Sequence, residues 1–476
     1  MASPFIGVQL GSHSIFDEGV DHVLDVLQQK ARINTLLLYN HAYQRFAQNR
    51  PAEGLADHGR GVRRRERQAV GHSWVTSHDE HYAGTFLRHE RSADEYADRD
   101  VLDEVAGPAA DRGMQVYARM LEGHEGWIAG YVDNWPKILT VDVYGRRGAL
   151  PCWNNPDYRT WLVSTVEDVV SHHAIDGYMY GSERSGPLSN LLTRGQTPGC
   201  FCTYCQQSGH RRGINVDRAI TGFTALDRLA ADCRDGKRPP DGYLVAFLRI
   251  LLHYPEVLRW EYEWHQAKES VARDIYGTVK TINPSVQVGW HVYHAVTWDP
   301  IYQAEMDYAD MVSYSDWLKP VVYHDIAGVR IRDRFLTPLS RSIFGDLSPA
   351  TLRTFLFEAL GYDPAAEAEF DELPTQGMSP EYVWRQVRRC VVAVDGKIPV
   401  YAGVGFDVPT DGNPMRSAPD RVHRSVYRSF EAGAAGLLVS REYDEMRMEN
   451  LEAVGRGIDD ALAAGLIPDA ALTVGR

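Results

Sequence analysis

Eight short apolar segments are spaced along almost the whole chain, and helical patterns separate most of them. Alternation of strands and helices predicts a parallel sheet whose strands are connected by helices. Eight such units in succession favour one closed barrel over two domains. We therefore predict an α/β fold, a single (β/α)8 TIM barrel that covers residues 1–476. The predicted strands are residues 5–10, 35–40, 114–120, 175–181, 286–294, 311–316, 399–407 and 434–440, and predicted helices include 157–173, 244–282 and 419–432.

Long insertions are predicted after strands two, four and six, at about 41–97, 184–243 and 318–380. Loops that leave the carboxyl ends of the strands build the functional site in this fold, so we expect the insertions on that face. The first contains an arginine-rich run at 63–67, for which a solvated loop is the favoured interpretation.

The charge of the chain argues against some classes of partner. A formal net charge of −14 is atypical of proteins that bind nucleic acid. There is no apolar run of about 18 residues and no signal-peptide pattern, which predicts a cytoplasmic protein without a membrane partner. The 11 Trp and 25 Tyr suit sugar binding, although most can equally be core residues. A homo-oligomer is left open.

Three of the six cysteines lie within one short stretch, Cys200, Cys202 and Cys205. A tight loop with this spacing can direct three thiolates at one ion, and Cys152 is a candidate for the fourth ligand. We predict a structural zinc, because four thiolates leave no coordination position for a substrate. The alternative is a set of reduced, buried thiols, which explains this clustering poorly.

Glu183 follows the fourth predicted strand. Gly177, Met179, Gly181 and Glu183 alternate onto one face, and small residues suit a barrel interior. The carboxylate is therefore expected at the mouth, where its pKa could be raised and it could act as a general acid. The alternative is a surface salt bridge to Arg184.

These residues resemble the zinc-containing β-galactosidases of glycoside hydrolase family 42, and the hypothetical glycosyl-hydrolase TIM barrels related to them. The matching residues, in order, are Cys152, the run from Asn154 to Arg159, Glu183, Cys200, Cys202 and Cys205, which span about 55 residues. The resemblance implies a zinc site at the four cysteines and a general acid/base at Glu183. The chain has Ser182 where the family has an asparagine, and no glutamate on strand seven.

Asp407 is the preferred partner of Glu183, because Tyr401, Gly403, Gly405 and Asp407 share one face of strand seven. Glu442, expected to point inward after strand eight, and Asp316, at the end of the predicted strand six, are the other candidates. Each of these acids could instead cap a following helix.

Aromatic and polar residues near the predicted strand ends are candidates for sugar binding. His291 and His294 are three residues apart on a strand and cannot both face one metal, so hydrogen bonding to hydroxyl groups is the preferred role. Burial in the core is the alternative for each. The complete set is Tyr180, Trp290, His291, His294, Tyr314, Trp317, Arg441 and Tyr443.

The sequence as a whole predicts a glycosidase, retaining by the family resemblance, that acts on a small glycoside or oligosaccharide. A sugar-modifying lyase, isomerase or transglycosylase in the same barrel is the second hypothesis. A non-catalytic carbohydrate-binding barrel is the third, and it is disfavoured because a binding site needs few carboxylates.

Overall fold

The computed structural model describes residues 4–44, 58–59, 70–89, 98–122, 132–408, 412–414, 416–440 and 442–467. The arginine run at 63–67 and Arg441 lie outside the described residues. None of the described helices is both long enough and apolar enough to cross a membrane.

Eight parallel strands form a nearly closed barrel, which confirms the predicted fold class. Each consecutive pair from β1 to β6 is parallel and hydrogen-bonded, with one register shift in β2 between Tyr39 and His41, and β1 and β7 both pair with β8. Two isolated bridges, Leu318 to Val400 and Val321 to Gly403, join β6 to β7. The strands are β1 (Phe5–Leu10), β2 (Thr35–Gln44), β3 (Gln115–Leu121), β4 (Gly177–Gly181), β5 (Gln287–Val292), β6 (Trp317–Pro320), β7 (Tyr401–Gly405) and β8 (Gly436–Ser440).

The sixth strand lies later in the chain than predicted. Residues 311–314 belong to the end of a short α-helix, Tyr308–Met311, and to a 3-10 turn, Val312–Tyr314, and β6 begins only at Trp317. The side chain of Asp307 caps this helix by accepting a hydrogen bond from the backbone N–H of Ala309, at 2.8 Å. The insertion after strand six consequently begins beyond Pro320.

Eighteen α-helices lie in the described part of the chain. The start of α4 shows why they begin where they do: Asn155 accepts hydrogen bonds from the N–H groups of Asp157 and Tyr158, and Pro156 occupies the first turn. They are α1 (Ser12–Glu18), α2 (Val20–Ala31), α3 (Val101–Asp111), α4 (Pro156–His172), α5 (Pro187–Arg194), α6 (Thr203–Arg211), α7 (Val216–Arg234), α8 (Tyr243–His253), α9 (Glu256–Ile282), α10 (Pro300–Glu305), α11 (Tyr308–Met311), α12 (His324–Ile331), α13 (Thr337–Leu339), α14 (Pro349–Ala359), α15 (Leu373–Gln376), α16 (Pro380–Val394), α17 (Pro419–Glu431) and α18 (Met448–Ala463).

The amino-terminal half of the barrel interior is apolar. Its side chains pack into one buried layer that fills the space between the strands, as is usual for this fold. The layer contains Phe5, Leu37, Tyr117, Met179, Trp317 and Leu438, with Tyr401 packed against them. Any functional group inside the barrel must therefore lie toward the carboxyl ends of the strands.

Candidate functional site

Polar side chains from five strands meet above this apolar layer. Because side chains alternate along a strand, a residue two positions after a member of the apolar layer also faces inward. Arg119 follows Tyr117 in this way, Lys319 follows Trp317, and Ser440 follows Leu438. We call the buried set the polar layer, and it comprises Gln9, Arg119, His291, Lys319, Tyr323 and Ser440.

Lys319 lies at the centre of the polar layer, with none of its surface exposed. Its Nζ is 2.8 Å from Gln9 Oε1 and 2.9 Å from Ser440 Oγ. It is also 3.0 Å from the Tyr323 hydroxyl and 3.2 Å from His291 Nδ1. One amine therefore connects residues of β1, β5, β6 and β8.

Burial lowers the pKa of Lys319 well below its ordinary value, and the positive charge of Arg119 lowers it further. The negative charges of Glu183 and Glu442 act in the opposite direction. All four partner atoms of the amine belong to neutral groups or to a histidine, so the charged form is poorly compensated. Lys319 therefore gives up its proton more readily than an exposed lysine does.

His291 connects Lys319 to Glu183, since its Nε2 lies 3.0 Å from Glu183 Oε1. Burial lowers the pKa of His291 to about 4, and the charge of Lys319 contributes. The neutral ring then carries its proton on Nε2, which donates to Glu183, while Nδ1 accepts from Lys319. The Glu183 side chain is 25% exposed, so it lies where the polar layer meets the open end of the barrel.

Glu442 is a second carboxylate whose charge acts on the polar layer. It follows β8 by two residues, as predicted, and it is buried. Its negative charge acts on Lys319 and also on His13, which lies just after β1. Glu183 and Glu442 are thus the two predicted carboxylates whose charges both act on the same buried amine.

Asp407 does not face the mouth, in contrast to the prediction. Its φ of 53° is left-handed, which ends the alternation of β7. Its carboxylate accepts hydrogen bonds from the backbone N–H and Nε of Arg447, both at 3.0 Å, and from Asn450 Nδ2 at 2.8 Å. These donors lie at the start of α18, so Asp407 anchors that helix.

Asp316 lies at the opposite end of the barrel from the mouth, because β6 starts at Trp317. It accepts a hydrogen bond from the backbone N–H of Val288 and pairs with Lys280 at 2.6 Å. Trp317 is buried in the apolar layer, and Tyr314 packs against Trp290 on the helix side. The expected position of Asp316, Tyr314 and Trp317 at the mouth was therefore wrong.

The other proposed sugar-binding residues that the structure describes are buried and do not belong to the polar layer, although the rings of His294 and Tyr323 lie 5.5 Å apart. Tyr180 and Trp290 point toward the helices and pack edge to face. His294 begins a short helix after β5 and binds Tyr382 at 2.8 Å and Arg330 at 3.0 Å. Tyr443 donates a hydrogen bond to Glu18. Among the described members of that set, His291 alone belongs to the polar layer.

Glu122, at the end of β3, is a residue that sequence reasoning did not identify. Its buried carboxylate accepts hydrogen bonds from Trp153 Nε1 at 2.9 Å, the Tyr158 hydroxyl at 2.6 Å and Ser182 Oγ at 2.5 Å. It also pairs at 2.9 Å with Arg184, the residue considered from the sequence as an alternative salt-bridge partner of Glu183. Glu122 thereby fixes the residue on each side of Glu183.

Arg119, Lys319, Gln9 and Tyr323 were also not identified as site residues. Lys319 was assigned to a loop because strand six was placed too early in the sequence. Arg119 and Gln9 lie on strands that were predicted correctly. A polar residue at an inward position of an otherwise apolar strand is the signal that could have identified them.

The four predicted metal ligands come together. One ligand atom from each of Cys152, Cys200, Cys202 and Cys205 lies within 4.8 Å of the others. The sulfur of Cys152 is 3.5 Å from that of Cys202 and 3.4 Å from that of Cys205. The cluster connects the loop after β3 to the loop after β4, which also carries Glu183.

No family model matches the sequence, and no curated protein matches it. Among solved structures, the chain is similar to the β-galactosidase of the Antarctic haloarchaeon Halorubrum lacusprofundi, with a TM-score of 0.51, 14% identity, and coverage of 96% of this chain and 58% of that one. It is also similar to the β-galactosidase of the psychrophilic Marinomonas ef1, with a TM-score of 0.52 and 12% identity. The match covers 98% of this chain and 62% of that one.

The chain thus spans about 60% of the length of these two enzymes. At this level of identity the similarity shows the fold alone. The resemblance to glycoside hydrolase family 42 stays a prediction. The protein has the (β/α)8 barrel that these glycoside hydrolases also have.

Proposed function

We propose that the protein is a glycoside hydrolase with Glu183 as the general acid/base and Glu442 as the second carboxylate. The observation that carries the proposal is that His291 links Glu183 to Lys319, and that the charges of Glu183 and the buried Glu442 both act on this amine. A pair of carboxylates around one sugar is the usual requirement for glycoside hydrolysis. The two similar solved structures are β-galactosidases, which favours this class over others that use the same fold.

In the proposed mechanism, Glu183 protonates the glycosidic oxygen of the departing group. The Nε2–H group of His291 holds one oxygen of Glu183 in place, and Lys319 fixes the tautomer and orientation of that ring. Glu442 either attacks the anomeric carbon or activates a water molecule for the same attack. The first route retains the configuration and the second inverts it.

A panel of nitrophenyl glycosides in both anomeric configurations tests the proposal. We expect release of nitrophenol from at least one member, and NMR of the first-formed sugar shows which route operates. Glu183→Gln and Glu442→Gln are the loss-of-function controls. Binding of sugars without turnover of any glycoside by the folded protein would contradict hydrolysis and favour a carbohydrate-binding barrel.

Lys319 supports a second candidate, a sugar lyase or isomerase. A buried amine with a lowered pKa, in contact with a tyrosine and a histidine, can remove a proton from carbon next to a carbonyl group. Turnover in deuterated water separates the candidates. Hydrolysis leaves the C–H bonds of the sugar intact, whereas proton abstraction exchanges deuterium into an isomerised product or produces an unsaturated one.

We also propose that the four cysteines hold a structural zinc ion. Tetrahedral Zn–S bonds of about 2.3 Å place the sulfurs about 3.8 Å apart, close to the separations found here. The backbone N–H groups of Val141 and Cys202 donate to Cys200, and the Asn154 amide donates to Cys205, each at 3.4 Å. Such donors stabilise thiolates at a metal site.

The ion would hold the loops after β3 and β4 together and would take no part in the reaction, because four thiolates close its coordination sphere. Elemental analysis of protein purified without chelator tests this proposal. We expect one zinc per chain, and protein without stoichiometric metal would contradict it.

A further inference from the structure

The polar layer contains more hydrogen-bond donors than acceptors. Arg119 is 3% exposed, and its Nη2 binds the Tyr39 hydroxyl at 2.5 Å, with the guanidinium stacked on the Tyr39 ring. The Nε and Nη1 atoms of Arg119 have no hydrogen-bond partner among the described residues. The Nε2 atom of Gln9 has none either, although its Oε1 is fully engaged.

Buried donors without acceptors are costly, and native proteins satisfy nearly all of them. All three of these atoms are donors, and both residues lie inside the barrel with Lys319. A ligand that satisfies them must present several acceptor oxygens. Neutral hydroxyl groups bring a donor with every acceptor, whereas a carboxylate brings acceptors only.

The charge of Arg119 points to the same chemistry. Many arginines of this protein are ion-paired, but Arg119 makes no ion pair among the described residues. Its charge instead opposes protonation of Lys319 and His291. A buried cation that lacks a counter-ion is strongly destabilising, and a negatively charged ligand group would neutralise it.

We propose that the polar layer binds an anionic substituent of the substrate, and that this group is a carboxylate, so that the enzyme acts on glycosides of uronic acids. The inference rests on the proposed function and specifies its substrate class. Arg119 would bind the carboxylate through Nε and Nη1, and Gln9 Nε2 would donate to a further oxygen. Glu183 and Glu442 would then lie near the anomeric end of the same sugar.

Pairs of nitrophenyl glycosides that differ only at C6 test the inference. The pairs are glucoside with glucuronide and galactoside with galacturonide, each as both anomers, and 6-phosphogalactosides form a third arm. We expect kcat/KM to be at least about 100-fold higher for one uronide than for its neutral counterpart, because a site built for a polar group discriminates strongly against analogues that lack it. Arg119→Met should remove most of this preference.

Arg112→Met is the matched control, because Arg112 pairs with Asp21 and Asp25 at the surface and should keep the preference. Arg119→Lys retains the positive charge, so it provides a second test of the site if Arg119→Met does not fold. Neutral glycosides cleaved faster than uronides, or a preference unchanged in both Arg119 variants, would overturn the inference and leave the proposed function intact. Faster cleavage of the phosphoglycosides would overturn the assignment of a carboxylate.

A failure of the proposed function gives a different result. If no glycoside is cleaved, titration calorimetry with free glucuronate and galacturonate tests the anion site directly. Binding by the wild type and loss of binding in Arg119→Met would support the site without hydrolysis. Absence of binding would overturn both the anion site and the proposed function.

Discussion

Glu183 depends on its neighbours for its position at the barrel mouth. His291 holds its carboxylate, and Ser182 and Arg184 on either side are both bound to Glu122. This arrangement fixes the side chain. A general acid needs such a defined position, because proton transfer requires contact with the departing oxygen.

Glu183→Gln should therefore affect substrates according to their departing group. We expect a loss of about 100-fold or more in kcat/KM for alkyl glycosides, which need protonation, and a smaller loss for dinitrophenyl glycosides, which need little. Steady-state kinetics on a series of aryl and alkyl glycosides measures this difference. Equal losses across the series would show that Glu183 is not the acid.

Sequence reasoning identified Glu183 and Glu442 because each follows a correctly predicted strand at an inward position. It misplaced Asp407, since the left-handed backbone at that residue cannot be recognised from an aspartate alone. The hydrogen bonds from Arg447 and Asn450 come from residues 40 and 43 positions later in the chain. Contacts between residues this far apart in the chain leave no signal in the local sequence pattern.

At the scale of elements, the sixth strand shows the limit of local patterns. The segment 311–316 has alternating polarity, but Asp307 caps a helix just before it. The true strand contains Lys319 and Pro320, which are unusual in a central strand. Lys319 is tolerated there because acceptor atoms of four other residues lie within hydrogen-bonding distance of its amine.

The loops after β3 and β4 are the elements that the cysteine cluster connects. Cys152→Ser should lower the melting temperature, because one ligand of the proposed zinc is lost and the ion is held less tightly. Cys233→Ser is the control, since Cys233 lies outside the cluster and should cause little change. Thermal unfolding with parallel metal analysis makes the comparison. Equal melting temperatures for wild type and Cys152→Ser would contradict a structural site.

Helices α9 and α10 carry a pair of buried carboxylates, Glu261 and Glu305. Burial raises the pKa of Glu261 from 4.5 to about 7, and burial together with Glu261 raises the pKa of Glu305 further. The folded state thus keeps protons that the unfolded state loses above about pH 4.5. The stabilisation from these protons is fully present below about pH 4.5 and is lost as the pH rises, through about 7 for Glu261 and at higher pH for Glu305.

Glu305→Gln should therefore reduce the dependence of stability on pH. Each retained proton contributes at most about 1.4 kcal/mol per pH unit to the slope, and the variant removes one of the two. Chemical unfolding between about pH 5 and about pH 8 measures the slope. Glu358→Gln is the control, because Glu358 is exposed on α14. A slope as steep in Glu305→Gln as in the control would show that Glu305 does not retain a proton in the folded state.

At the scale of the whole molecule, the fold could be predicted because eight repeats of one pattern reinforce each other. A wrong assignment of one strand does not change the predicted fold. The other strands still need a parallel neighbour on each side, which closes the barrel. The candidate site has no such redundancy. It is assembled from single residues on β1, β3, β5, β6 and β8, and one displaced strand removed Lys319 from consideration.

We propose that Glu183 and Glu442, and not Asp407, form the catalytic pair. The most direct test is kcat/KM of Glu442→Gln and Asp407→Asn, measured side by side on the aryl glycoside that the wild type cleaves fastest. We predict a loss of about 1,000-fold or more for Glu442→Gln. Asp407→Asn should retain activity within about 10-fold and unfold at a lower temperature, because α18 loses a charged anchor. An inactive but stable Asp407→Asn variant, together with an active Glu442→Gln variant, would contradict this assignment of the catalytic pair.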